Sequence, residues 1–157
     1  MGILGKIMIT LLWSMVPVVE LRGAIPIGVG MGLPFGVSVT VSVIGNLIPV
    51  PFIMLFIRQI FKWMRRVSEK FARVVDKMEA KANQHRDKVT RYGFWGLFIL
   101  VAIPLPGTGA WTGALVAAVM EIRFKTALPA IFLGVIGAAV IVSIVTIVTY
   151  GAFAIVV

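Results

Sequence analysis

The chain has 157 residues, 60% of them hydrophobic, with a mean hydropathy of +1.05 and only 13% charged. A soluble domain carries about twice that charge and cannot hide so much apolar surface, so the solvent this sequence suits is a bilayer. No cysteine is present, which excludes disulfide frameworks, thiol nucleophiles and thiolate metal sites.

The first apolar stretch, Ile3 to Val16, is too short to span, because a spanning helix needs about 20 apolar residues. With its lone Lys6 it faintly resembles a signal peptide. No small-x-small cleavage site precedes Glu20, so the segment is expected to be retained. Next comes "VPVVELRGAIPIG", Val16 to Gly28, where Pro17 and Pro26 bracket Glu20 and Arg22. Each proline removes a helical hydrogen bond, so a broken tip with free N–H and C=O groups is expected between them. Ionisable groups inside a membrane segment are costly, which makes Glu20 and Arg22 candidates for function. The planar fork of Arg22 suits a carboxylate or phosphate. Glu20 can neutralise Arg22 in an empty site, or carry a proton. The plainer reading is an interfacial salt bridge that caps a hairpin.

Ala24 to Leu33 is again too short to span, whereas Val37 to Ile57 is long enough. Inside it, "IGNLIPVP" (Ile44 to Pro51) sets Asn46 near mid-span, to reach either the broken tip or a neighbouring helix. Pro49 and Pro51 predict a kink. The stretch 58–92 then holds eleven of the fifteen Lys and Arg and four of the six acids. This puts nearly all the basic excess of a net +9 chain into one connector. The positive-inside pattern assigns it to the cytoplasm, and its localisation argues against nucleic acid as a partner. Ile60, Met64, Val67, Phe71, Val74, Met78 and Ala82 recur at helical spacing, with Glu69–Arg73 and Asp87–Arg91 as i,i+4 pairs. Two placements suit such a helix: flat on anionic inner-leaflet lipid, or as a coiled-coil seam in a homodimer. Trp63 and the basic crowding favour the lipid surface. His85 lacks a second imidazole and reads as a surface residue, so no metal or cofactor is expected.

In the second half, Phe94 to Ile103 and Gly109 to Met120 are short, and Thr126 to Val156 is long. Between the short pieces lies "IPLPGTGAWTGA", Ile103 to Ala114. Pro104 and Pro106 stop the incoming helix, and Gly107 and Gly109 allow close backbone approach. Thr108 and Thr112 add hydroxyls, and Trp111 adds an amphipathic ring. A returning half-helix would aim its positive N-terminus at the same region as Arg22. Shifted by 89 positions, Pro17 falls on Pro106, Met31 on Met120, Phe35 on Phe124 and Gly45 on Gly134. The expected fold is therefore an all-α integral membrane protein built as an inverted repeat. Its first repeat is 1–57 (re-entrant hairpin 3–33, transmembrane helix 37–57). A basic amphipathic cytoplasmic helix follows at 58–92. The second repeat is 93–157 (hairpin 94–120, transmembrane helix 126–156). Four to six ordinary kinked spans are the alternative.

"ELRGAIPIG" followed by "PLPGTGAWTGA" resembles the small multidrug export protein family, a distant branch of the DedA-like (VTT domain) superfamily. The resemblance implies a prokaryotic cytoplasmic-membrane protein with two opposed re-entrant hairpins. It also implies a link to polyprenyl-phosphate lipid carriers and proton-motive force. It carries over Glu20, Arg22, Gly23 and Pro26 from the first motif, and Pro104, Pro106, Gly107 and Gly109 from the second. DedA-like proteins have arginines in the second motif. This chain has none between Arg91 and Arg123, so recognition of a lipid phosphate rests on Arg22. The expected function is a secondary carrier or flippase for an amphipathic, anionic substrate. The alternatives are a small multidrug exporter and a non-transport scaffold. No nucleophile–base pair, HExxH or Walker motif marks an enzyme.

Overall fold

The computed structural model describes residues 1–156, with side chains through Gly151. Among the described residues the chain is helical, with no strand. The helices are α1 (Ile3–Met15), α2 (Glu20–Gly30), α3 (Phe35–Leu47), α4 (Pro49–Val67), α5 (Glu69–Gln84), α6 (Arg86–Tyr92), α7 (Phe94–Ala102), α8 (Ala110–Val119) and α9 (Phe124–Val156).

Two stretches are long and apolar enough to cross a membrane: Phe35–Val67, which joins α3 and α4, and Phe124–Gly151 of α9. Pro49 and Pro51 cannot donate backbone hydrogen bonds, yet they cause only a one-residue interruption. Ile48 keeps helical angles (φ −56°, ψ −47°), and Pro49 takes the first position of α4, where its missing N–H costs least. The helix therefore runs on past Ile57 to Val67, carrying Arg58, Lys62, Arg65 and Arg66 on the same rod. Large apolar side chains on the long helices, such as Phe52, Ile144, Ile147 and Val148, stand exposed. A bilayer is the solvent that suits such a surface.

The connector is three helical pieces rather than one helix: the end of α4, α5 and α6. Ser68 is extended (φ −161°, ψ 148°), ends α4 and caps α5, its Oγ accepting from the Lys70 N–H at 3.3 Å. This interruption resets the helical phase. Phe61, Val75, Ala82 and Val89 are buried against the body of the protein, whereas Ile60, Val67, Phe71 and Val74 of the sequence stripe are exposed. The pairs Glu69–Arg73 and Asp87–Arg91 do not form. Among the described residues the ion pairs are Arg65 to Asp76 and Glu79, which fold α5 back on α4, and Arg58 to Glu121 at 2.7 Å. These pairs are largely exposed and add little stability.

Displaced by 89 positions, some element boundaries of the two halves coincide. Phe35 and Phe124 both open long helices. α2 and α8 end in the same Schellman motif. In α2, Leu33 N–H donates to Gly28 O (3.0 Å) and Gly32 N–H to Val29 O (2.9 Å). In α8, Ile122 N–H donates to Ala117 O (2.9 Å) and Glu121 N–H to Ala118 O (3.2 Å). The equivalent residues Gly32 and Glu121 both have positive φ, 80° and 56°. α2 and α8 start within one residue of register: Glu20 (φ 49°), the first residue of α2, is equivalent to Gly109 (φ 135°), which caps α8.

Candidate functional site

The first break is shorter than the sequence implies. Only Val16 to Val19 leave the helix, and Glu20 and Arg22 form the first turn of α2. Pro26 lies inside α2 and does not break it, since it removes a single bond, that to the Arg22 carbonyl. The second break, Ile103 to Gly109, matches the expected place.

The two breaks meet. The Glu20 side chain is only 3% exposed, and its Oε1 accepts from the Trp111 N–H at 3.1 Å, in the first turn of α8. A carboxylate there satisfies an otherwise unpaired donor and complements the positive end of the helix. Gly109 makes the approach possible. A Cβ at that position would coincide with the Glu20 carboxylate, and φ 135° is a conformation that side chains oppose. Arg22 takes the opposite end of the break. Its Nη1 donates to Leu105 O (2.6 Å), and its Nη2 donates to Ile103 O (3.2 Å) and Thr108 Oγ1 (3.1 Å). Two of these acceptors are carbonyls of the break where α7 stops at Pro104 and Pro106, both shared with Thr108, and the third is the Thr108 hydroxyl. Glu20 and Arg22 thus grip the second half, one at each end of its break. They form no ion pair with each other within 4.0 Å.

The grip is reciprocal. Trp111, equivalent to Arg22 under the shift of 89, donates its Nε1–H to Met15 O at the end of α1 (2.9 Å). Each half therefore offers a donor from its returning helix to the carbonyl end of the other half's incoming helix. Thr112 Oγ1 closes the second loop on Gly107 O at 3.0 Å.

Beside this clasp lies a cavity of about 340 Å³, lined by Glu20, Arg22, Pro104, Pro106, Gly107, Thr108 and Thr112. Trp111 borders a smaller neighbouring cavity of about 130 Å³. Gly23, Pro26 and Asn46 line neither. Gly23 faces Val19, the Pro26 carbonyl accepts from Tyr150 OH (3.0 Å), and Asn46 is buried with its Oδ1 unpartnered. Lys81 of α5 was not singled out by the sequence, yet it lines both cavities. It stands beside the buried Ala82. Its position on the connector gave no sign that α5 folds back onto the breaks. The cavity thus holds two cations and one carboxylate, with no second carboxylate beside it.

A helical membrane protein in two similar halves, each with a broken helix pair and a long apolar helix, is the class these features define. The chain belongs to the family described as "Putative small multi-drug export protein", whose profile matches residues 20–141, more than three quarters of its length. No curated protein and no solved structure matches it.

Proposed function

We propose that the protein is a carrier that moves an amphipathic anion, of the polyprenyl-phosphate class, across a prokaryotic cytoplasmic membrane. In this reading the halves are inverted repeats, their hairpins enter from opposite leaflets, and access alternates around the clasp. The observation that carries it is the buried Glu20 carboxylate on the first turn of α8, beside a cavity shared with Arg22 and Lys81. Glu20 acts as a tethered anion. While ionised it holds the α8 N-terminus. Once protonated it no longer offsets Arg22 and Lys81, which are left for an incoming anion, and this links the substrate to a proton. Multidrug export is the second reading, favoured by the family description; a cavity of about 340 Å³ admits a small compound.

The test is flux of a short-chain polyprenyl phosphate and of a cationic dye in proteoliposomes across pH. Glu20→Gln keeps an oxygen for the Trp111 N–H but cannot change charge. It should fold normally and transport the lipid phosphate with no pH dependence. Normal pH dependence in this variant would end the proton-carrier role. Transport of the dye alone would decide for the second reading.

The orientation has its own test. The proposal places the connector in the cytoplasm, where Trp63 and the exposed Phe71, among Lys and Arg, would rest on anionic lipid. A cysteine replacing Lys70 should react with an impermeant thiol reagent only from the cytoplasmic side, and labelling from outside would invert the topology.

A further inference from the structure

A larger cavity, about 500 Å³, opens between α6 and α7 and meets the clasp at Leu105 and Thr108, which line both cavities. One wall is apolar: Ile99, Leu100, Ile103 and Leu105. Ile99, Ile103 and Leu105 are 47%, 41% and 54% exposed, a continuous face on the outside of the molecule. The other wall is α6, which brings Lys88 and Arg91 to the cavity. The position of α6 is fixed from within. Val89 is 2% exposed, and the Lys88 carbonyl lies where a Cβ on Gly96 would approach to 2.6 Å, so only glycine at 96 lets the two helices come this close. Arg91 is steadied by the Tyr92 ring, its Cζ 5.6 Å from the centroid.

We propose that this groove binds one anionic phospholipid, its phosphate held by Lys88 and Arg91 and one acyl chain laid along Ile99, Ile103 and Leu105. The rim charges favour an anion. Asp87 is the one acid on the rim, against two permanent cations. His85, also on the rim, has its pKa lowered by burial and by Lys88 and Lys81, so it is mostly uncharged at neutral pH. A soluble anion would leave the apolar wall unused, and a purely apolar ligand would leave the cations unused. An amphiphile with a negative head uses both. Its phosphate contacts are separate from the carrier site, because none comes from Glu20, Arg22 or Lys81, although Leu105 and Thr108 line both cavities.

Reconstitution in phosphatidylcholine vesicles with a minor share of phosphatidylglycerol, followed by mild extraction and native mass spectrometry, tests this. The wild type should retain one phosphatidylglycerol, enriched over its share in the vesicle. Lys88→Gln with Arg91→Gln should lower that enrichment about thirtyfold, since each cation near an anionic headgroup contributes about fivefold. Both side chains are exposed, so melting in phosphatidylcholine alone should not change. Ile99→Trp, which fills the trough from within α7 and leaves the cations and the clasp in place, should also lose the lipid. Free glycerol phosphate should not displace it. Equal retention of the two lipids by the wild type, or unchanged retention in the double variant, overturns the proposal. Displacement by glycerol phosphate does so too, by making the site one for soluble anions.

Discussion

Gly109→Ala should lower stability by about 3 kcal/mol, a large loss for a single methyl group. Two effects combine. A side chain at φ 135° carries strain of about 1–2 kcal/mol, and the new Cβ falls on the Glu20 carboxylate, which must leave its bond to the Trp111 N–H. A double-mutant cycle separates them. In a Glu20→Ala background the collision is gone, so the same substitution should cost only the strain, about 1–2 kcal/mol. Detergent-solubilised protein unfolded by heat or denaturant gives both numbers. Additive costs would mean that Glu20 and Gly109 do not meet in the native protein.

Arg22→Gln should cost about 2–4 kcal/mol and reduce transport at least about tenfold. The guanidinium serves three acceptors at the second break, and hydrogen bonds to a charged group are worth about 1.5–3 kcal/mol each before exposure to solvent reduces them. Arg22→Lys should recover only part of this, because an ammonium cannot reproduce the planar fork. Trp111→Phe removes the reciprocal donor to Met15 O and should cost about 1 kcal/mol. An Arg22→Gln protein that melts like the wild type would remove Arg22 from the clasp. One that melts lower yet transports normally would make its role structural alone.

The second break was legible because Pro104 and Pro106 cannot be carried through a helix, and the structure breaks there. Pro26 misled for a related reason. A proline removes one bond, and the sequence does not say whether neighbouring bonds suffice, as they do in α2. The shift of 89 positions was visible in Phe35 and Phe124. The shared Schellman turns were hidden because one half uses glycine at the left-handed position and the other uses Glu121. In the connector, periodicity revealed an apolar face but not what covers it. Ser68 resets the phase between α4 and α5, so a stripe drawn through both selects Val74 where the fold buries Val75. Arg22 could be read as a cation looking for an anion. That carbonyl oxygens would occupy it depends on a contact more than 80 residues away, which no local pattern encodes.

The pairing of Glu20 with Gly109 also sets a count. The two positions are equivalent in the two halves, yet they occupy one space, and a carboxylate from one side leaves room only for a hydrogen on the other. A chain with glutamate at both would force two acids into the volume of one. On the carrier reading proposed above, a cycle through this clasp has one carboxylate to protonate per passage, not a matched pair. If the halves trade conformations, the two end states are not mirror images in energy. The half that owns the acid sets which of them is the resting state.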